Sequence, residues 1–444
     1  MRRVAGVPGV DFTVEDVRGT FPEEIEIQTL DHPVEAEIQI PGSKSVTNRA
    51  LLIAALADGP STIRNPLFSD DSFWLMQALV HLGFDLHADR DAAEVRITGQ
   101  RGIILQRNAD VFVGNAGTVA RFLPPALALG EGPYRVDGVP RMRERPVGDL
   151  VDAMRHLGAH VEYANEEGRF PLVVKGGGLV GGTVRVRGGK SSQFVSGLLM
   201  AAPYAREPVT LEIEGRDDWP YVGITVEVME AFGVDVEIGD GFRRLAVEPG
   251  SYSAREYEVE PDASAASYFL AAAAVTGGQV KIPGLGTGSS QGDLRFAEVL
   301  RKMGCEVEIA SDFIEVRGLE RLRGVDVDMG AFSDTMITLS AIAPFAEGPT
   351  TIRNVGHTRH QETDRIAAVA TELGRLGISV EEAPDSLRIT PGPVSPAVVR
   401  TYGDHRMAMA FAVTGLVVPG VRIREPGCVT KTFPDYYQQL DALR

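Results

Sequence analysis

The segment Ile53–Asn65, IAALADGPSTIRN, returns with conservative changes as Ile342–Asn354, IAPFAEGPTTIRN. Each copy runs from the end of a small-residue, aliphatic helix through a Gly-Pro turn into a short β-branched strand. Looser copies of this corner lie at Ala126–Gly138, Ala201–Gly215, Ala272–Gly284 and Val413–Glu425. Upstream of each, polar residues suited to capping open a helix at Ser43–Thr47, Asn115–Thr118, Ser191–Gln193, Asp262–Ser264, Ser333–Thr335 and Asp404–Arg406. The helices that follow, such as ALLIAALA, FVSGLLMAA and YFLAAAAV, are apolar on every face, which places them in a core. Downstream, a second, amphipathic helix ends in Gly before a strand, its copies beginning at Met76, Val151, Val226, Ala297 and Ala370. The chain is thus six repeats of roughly seventy residues: buried helix, strand, surface helix, strands. That period is longer than the common solenoid repeats, and two compact α/β domains of three repeats each fit better.

Length agrees, since 444 residues are too many for one ordinary core. With 44% hydrophobic and 24% charged residues, composition is that of a soluble globular protein. The longest apolar stretch, Met407 to Pro419, is too short to span a bilayer, so no membrane partner is expected. Residues 1–24 lack the apolar core of a secretory signal and read as a ragged extension. Cys305 and Cys428 are too few for a disulfide framework, and neither they nor the eight histidines show metal-ligand spacing. A net charge of −17 disfavours nucleic acid as a partner.

An acidic chain that binds an anion must gather cations locally, and this one gathers them at its helix starts. There stand Lys44, Ser45 and Arg49; Asn115, Gly117 and Arg121; the run Pro140–Pro146, PRMRERP; and Lys190 with Ser191, Ser192 and Gln193. Farther on come Arg359–Arg365, Gly403–Met409 and Lys431–Tyr437. Any one of these is most often a solvated turn. Their return to one place in every repeat is what singles them out, because a helix N-terminus already favours anions. Asp334 and Glu362 lie among these cations, where they would repel an anion; they make better sense as proton carriers.

The strings PGSKSVTNRALL, GNAGTVARF, RMRERP, SSQF, ETDR, DHRMAM and KTFPDYY resemble the 5-enolpyruvylshikimate-3-phosphate synthase family of enolpyruvyl transferases, in register from about Ile27 to the C-terminus. The resemblance implies an inside-out α/β barrel fold of two domains, each of three βαβαββ repeats. It also implies a discontinuous domain I, 25–41 plus 261–444, around a domain II of 42–260, with the active site in the cleft between them. The implied reaction moves the enolpyruvyl group of phosphoenolpyruvate to the 5-hydroxyl of shikimate 3-phosphate, through a tetrahedral intermediate and with loss of phosphate. It needs no cofactor and no metal. The enzyme so implied is a cytoplasmic monomer of the shikimate pathway, with glyphosate as an inhibitor.

By the same resemblance Lys44, Arg141, Arg365, Arg406 and Lys431 grip phosphoenolpyruvate, with Gln193, Asn115, Gly117 and Arg121 beside it. Ser45, Arg49, Ser191, Ser192 and Tyr221 contact shikimate 3-phosphate, with Lys44, Gln193, Asp334, His357 and Gln361. Glu362 is assigned to the phosphoenolpyruvate carbon, Asp334 with Lys44 to the acceptor hydroxyl, and His405 stands next to Arg406 as an assistant. The family pattern is broken at Asp218, His357 and Gln361, which replace a Ser, an Asn and a Lys around the acceptor's phosphate. An ionised Asp about 4 Å from a phosphate charge costs roughly 4 kcal/mol at an effective dielectric near 20. Either Asp218 points away, His357 and Arg359 compensate, or the acceptor is another alcohol; a non-catalytic anion-binding paralogue is the remaining reading.

Overall fold

A computed structural model describes residues 9–187, 191–214 and 219–444. The chain divides into two compact units, unit 1 from Met1–Val17 with Gly42–Val259, and unit 2 from Arg18–Pro41 with Glu260–Arg444.

Unit 1 holds three four-stranded sheets of one design. In the second, strand Ala109–Phe112 runs parallel to Tyr134–Asp137, and an antiparallel hairpin, Leu172–Val174 with Val161–Tyr163, extends it. In the third, Gly182–Arg187 pairs in parallel with Val209–Glu214, followed by Arg244–Val247 and Glu237–Gly239. The first is completed from far along the chain, by Glu256–Glu258 lying parallel to Asp58–Arg64. The parallel pair in each sheet needs a crossover, and the buried helix supplies it in two of the three.

Unit 2 repeats the design with Glu35–Glu37 beside Gln279–Pro283 and with Asp326–Asp328 beside Thr350–Arg353, each pair parallel and each extended by a hairpin. Its last repeat has Val398–Arg400 parallel to Arg422–Arg424, and there Glu24–Glu26 replaces the missing hairpin. The six-fold repeat expected from the sequence is therefore present in strand order as well as in helices.

The six apolar helices are Lys44–Leu56, Gly117–Leu127, Ser192–Ala201, Ala263–Thr276, Met336–Ile342 and His405–Gly415. Every residue from Val46 to Leu56 and from Ala263 to Ala274 is buried. At about 1.5–3 kcal/mol for each large aliphatic side chain, these helices are a main source of stability in either unit. Close approach depends on Gly197, where an added Cβ would stand 2.3 Å from Arg121 O.

Four helix starts are capped as the sequence suggests: Ser43, Ser191, Asp262 and Asp404 accept from the backbone N–H groups of Val46, Gln193, Ala265 and Arg406. Two are not. Ala116 occupies the cap of the Gly117 helix without a side-chain bond, and Ser333 sits in a 3-10 turn, Gly330–Thr335, ahead of a helix that begins only at Met336.

The N-terminal stretch is not ragged from Gly9 onward. Val10 bridges Ala88, and Phe12 meets Phe68 and Phe73 edge-on at 5.4 and 5.6 Å. Thr13 and Asp16 cap a short helix, Val14–Arg18, through reciprocal bonds of 2.6 and 3.2 Å. Among the described residues no helix is long and apolar enough to cross a membrane.

Candidate functional site

In unit 2 three helix starts and a C-terminal turn bring Asp334, Glu362, Arg365, Asp404, Arg406 and Lys431 into one lattice. Arg365 is the first residue of its helix, behind the cap Asp364, and is 1% exposed. Its Nε donates to Asp404 Oδ2 at 2.8 Å, Nη1 to Asp334 Oδ1 at 3.1 Å and to Gln361 Oε1, and Nη2 to Glu362 Oε2 at 3.0 Å. Arg406 reaches the other oxygen of Asp334 at 2.6 Å, and Lys431 Nζ lies 3.4 Å from Glu362 Oε1. Asp404 caps the helix that carries Arg406 while holding Arg365, so one buried carboxylate fixes both arginines.

Burial alone would lower the pKa of Arg365, but Asp404, Glu362 and Asp334 outweigh it and raise the value. Arg406 is likewise raised against the cost of burial, chiefly by Asp334. Both remain cations; Asp334 spans the two of them, and Glu362 spans Arg365 and Lys431. An anion arriving at Arg406 must compete with Asp334, and one arriving at Lys431 must compete with Glu362.

Around this lattice His357 and Gln361 take definite positions. His357 Nε2 is in hydrogen-bond contact with Ser333 Oγ at 2.7 Å, which is why Ser333 does not cap its helix. The Gln361 amide accepts from Arg365, a role a lysine could not fill. Arg359 pairs with Asp364 at 2.8 Å and Glu382 at 2.9 Å and donates to the Pro384 carbonyl. His405 is fully buried. Asp218 and Lys190 lie outside the described residues.

In unit 1, Lys44 opens its helix with Nζ 3.9 Å from the buried Asp71 carboxylate, and Ser45 follows it, half-buried. Arg49 turns into the core. Its guanidinium donates to Thr225 Oγ1 at 2.7 Å, Ser196 Oγ at 3.2 Å and the carbonyls of Ser45 and Tyr221 at 2.8 Å, and it lies 4.9 Å from the Phe122 ring centroid. None of these partners is anionic, and burial pushes its pKa down to about 9. Such a buried cation would gain from an anion nearby. Ser191 caps the helix that begins with Ser192 and Gln193, all three half-buried.

The arginine run divides in an unexpected way. Arg141, half-buried, pairs with Glu144 at 2.9 Å, and Arg143 pairs with Asp137 at 2.7 Å. Arg145 is the buried one, 6% exposed, with no hydrogen-bond partner for Nε or Nη1 among the described residues. It sits against the start of the Gly117 helix, where a Cβ added to Gly117 would stand 2.7 Å from its Nη2. Arg121 supports this segment from below, donating to Met142 Sδ at 3.0 Å and Pro146 O at 3.2 Å. Asn115 lies in the turn just before the helix. An unpaired guanidinium facing the positive end of an eleven-residue helix makes a place for a dianion such as phosphate. The sequence held a clue to Arg145: Glu144 stands three residues from Arg141 on a helix, within pairing distance, whereas Arg145 precedes Pro146 in extended backbone.

Among the described residues no group of three or more His, Cys, Asp or Glu is placed to hold a metal ion.

The family model for EPSP synthase (3-phosphoshikimate 1-carboxyvinyltransferase) matches residues 29–440. A 3-phosphoshikimate 1-carboxyvinyltransferase of Nostoc punctiforme is 50% identical over 418 residues, covering 94% of this chain and 98% of its own. One of Vibrio atlanticus is 46% identical over 426 residues, covering 95% and 99%. Among solved structures, an EPSP synthase of Acinetobacter baumannii superposes with a TM-score of 0.80 at 24% identity, over 95% of this chain and 98% of that one. The enolpyruvyl transferase NikO of Streptomyces tendae does so with 0.76 at 21%, over 95% and 96%. These last two speak for the fold.

Proposed function

The chain belongs to the EPSP synthase family, and from that premise we propose how its residues divide the transfer of an enolpyruvyl group from phosphoenolpyruvate to shikimate 3-phosphate. It is a transferase of the shikimate pathway. In unit 2, Arg365, Arg406 and Lys431 hold the anionic ends of phosphoenolpyruvate. In unit 1 the phosphate falls to Lys44, Gln193, Asn115, the backbone at Gly117, and Arg145 in place of Arg141. Ser45, Ser191, Ser192 and Tyr221 receive shikimate 3-phosphate, with His357 and Gln361 at its phosphate. Arg49 adds a nearby positive charge from within the core.

The chemistry then follows from the two bridged carboxyls. Glu362, once the anion has displaced it from its cations and it has taken up a proton, delivers that proton to the methylene carbon of phosphoenolpyruvate. The acceptor's 5-hydroxyl oxygen bonds to the adjacent carbon as its proton passes to Asp334, assisted by Lys44. From the resulting tetrahedral adduct the new methyl group returns a proton, the carbon–oxygen bond to phosphate breaks, and the enol ether forms. The observation that carries this reading is that Asp334 and Glu362 each span two cations. Such carboxyls are positioned by charge and displaced by an anion, as a proton carrier beside a substrate must be.

Phosphate release from phosphoenolpyruvate tests the acceptor. It should depend on shikimate 3-phosphate and be inhibited by glyphosate in competition with phosphoenolpyruvate. Release only with a different alcohol would overturn the acceptor, and no release with any alcohol would mean a binding protein. The two cysteines, neither in a disulfide, suit the reducing cytoplasm we propose for it, and we propose a monomer.

A further inference from the structure

The carboxyl of Asp293 stands outside every residue discussed so far. It lies on a short 3-10 turn, Gly292–Leu294, is 4% exposed, and accepts a hydrogen bond of 2.7 Å from Ser264 Oγ. Gln291 fixes the turn, accepting from Ala263 N at 3.1 Å and donating to Pro261 O at 2.7 Å. The turn packs against the start of the Ala263 helix and against the Gly330–Thr335 turn that carries Asp334.

Several ionisable groups surround it. Asp262 comes from the Ala263 helix start, Asp334 from the neighbouring turn and Arg406 from the His405 helix. The helix that continues from the turn carries Arg295, which is exposed, and Glu298, which pairs with Arg301. Burial is the largest influence on the Asp293 carboxyl. With Asp334 and Asp262 it outweighs the opposing pull of Arg406 and the Ser264 bond, pushing the pKa up to about 7.

Arg406 therefore serves two carboxyls, Asp334 by direct contact at 2.6 Å and Asp293 through space. An anion held at Arg406 adds a negative charge beside both carboxyls; Asp334 keeps Arg365 as a second cation at 3.1 Å, so the cost falls more heavily on Asp293. The group that gives way should be the one hidden most deeply from water. Asp293 meets that condition, since it is buried where Asp334 is only half-buried. We propose that Asp293 takes up a proton from solvent when an anionic substrate binds at Arg406, so that Asp334 keeps its charge and can accept the hydroxyl proton. The Ser264 hydroxyl can rotate from donor to acceptor and follow the change. Asp293 is thus a positioning residue for the charge of Asp334. The inference rests on the reading of Arg406 as a phosphoenolpyruvate contact.

Calorimetric titration of the whole protein with phosphoenolpyruvate alone, in two buffers of different ionisation enthalpy, reads proton uptake directly. Wild type should take up about half a proton at pH 7 beyond what Asp293→Asn takes up, with the difference vanishing below about pH 5. The ligand's own phosphate titration contributes equally to both and cancels. Ser264→Ala keeps the carboxyl but loses the bond that favours its ionised form, so its uptake profile should move to higher pH. Equal uptake by wild type and Asp293→Asn overturns the inference and leaves the substrate reading intact. An unmoved Ser264→Ala profile overturns it in the same way should Asp293→Asn fail to fold. Absence of any binding heat overturns the reading of Arg406, and this inference with it.

Discussion

Glu362→Gln is expected to fold as the wild type does and to turn over at least about a hundredfold more slowly, the usual scale for a general acid–base group. The amide can still accept from Arg365, which now donates to Glu362 Oε2 at 3.0 Å, so the lattice survives. What is lost is the exchangeable proton. The Michaelis constant for phosphoenolpyruvate should not rise, because the variant removes a negative charge beside an anion site. Lys44→Met should lower turnover on the same scale from the other unit, with a lower midpoint in a thermal scan because the buried Asp71 loses a cation 3.9 Å away. Near-normal turnover by folded Glu362→Gln would remove that residue from the chemistry.

Arg145→Ala is expected to raise the Michaelis constant for phosphoenolpyruvate by roughly 10- to 150-fold, since a charge-assisted hydrogen bond is worth about 1.5–3 kcal/mol. Its cost to folding should be small or negative, because a buried guanidinium lacking partners at Nε and Nη1 is itself unfavourable. Arg141→Ala is the control. Its guanidinium is already paired with Glu144, which an incoming anion would have to displace, so the variant should stay within a few fold of wild type. Steady-state kinetics on both variants separates the two arginines. The opposite ranking would return the clamp to Arg141.

Which arginine turns inward illustrates what one sequence holds and what it does not. The fold was legible because burial acts on long stretches: a helix apolar on all faces, as in Ala263–Thr276, has nowhere to go but a core. The corner shared by Ile53–Asn65 and Ile342–Asn354 marks the same junction in both units, leading into Asp58–Arg64 and Thr350–Arg353. The unit 2 cluster was legible too, because Arg365, Asp404 and Arg406 stand within two residues of helix starts. Individual side chains were harder. Ser333 looked like a cap, but His357, twenty-four residues on, claims its hydroxyl. Arg49 was expected at shikimate 3-phosphate, but that Thr225 and Ser196 hold its guanidinium within the core could not be read from the sequence. Asp293 carried no signal at all, because Ser264, which bonds its carboxyl, is 29 positions away and Asp334 and Arg406 are farther still. The N-terminal stretch did carry one. Val10, Phe12 and Val14 alternate as a strand does, but the surrounding Gly and Pro mask the pattern.

The central claim is that the enolpyruvyl group passes through a methyl stage created by a proton from Glu362. Single-turnover transfer to shikimate 3-phosphate in deuterium oxide, with the product's vinyl carbon followed by NMR, tests it most directly. The exchangeable acid then delivers deuterium, the transient methyl group carries both isotopes, and loss of either leaves deuterium in part of the product. A product formed at the normal rate with no deuterium at that carbon would contradict the account.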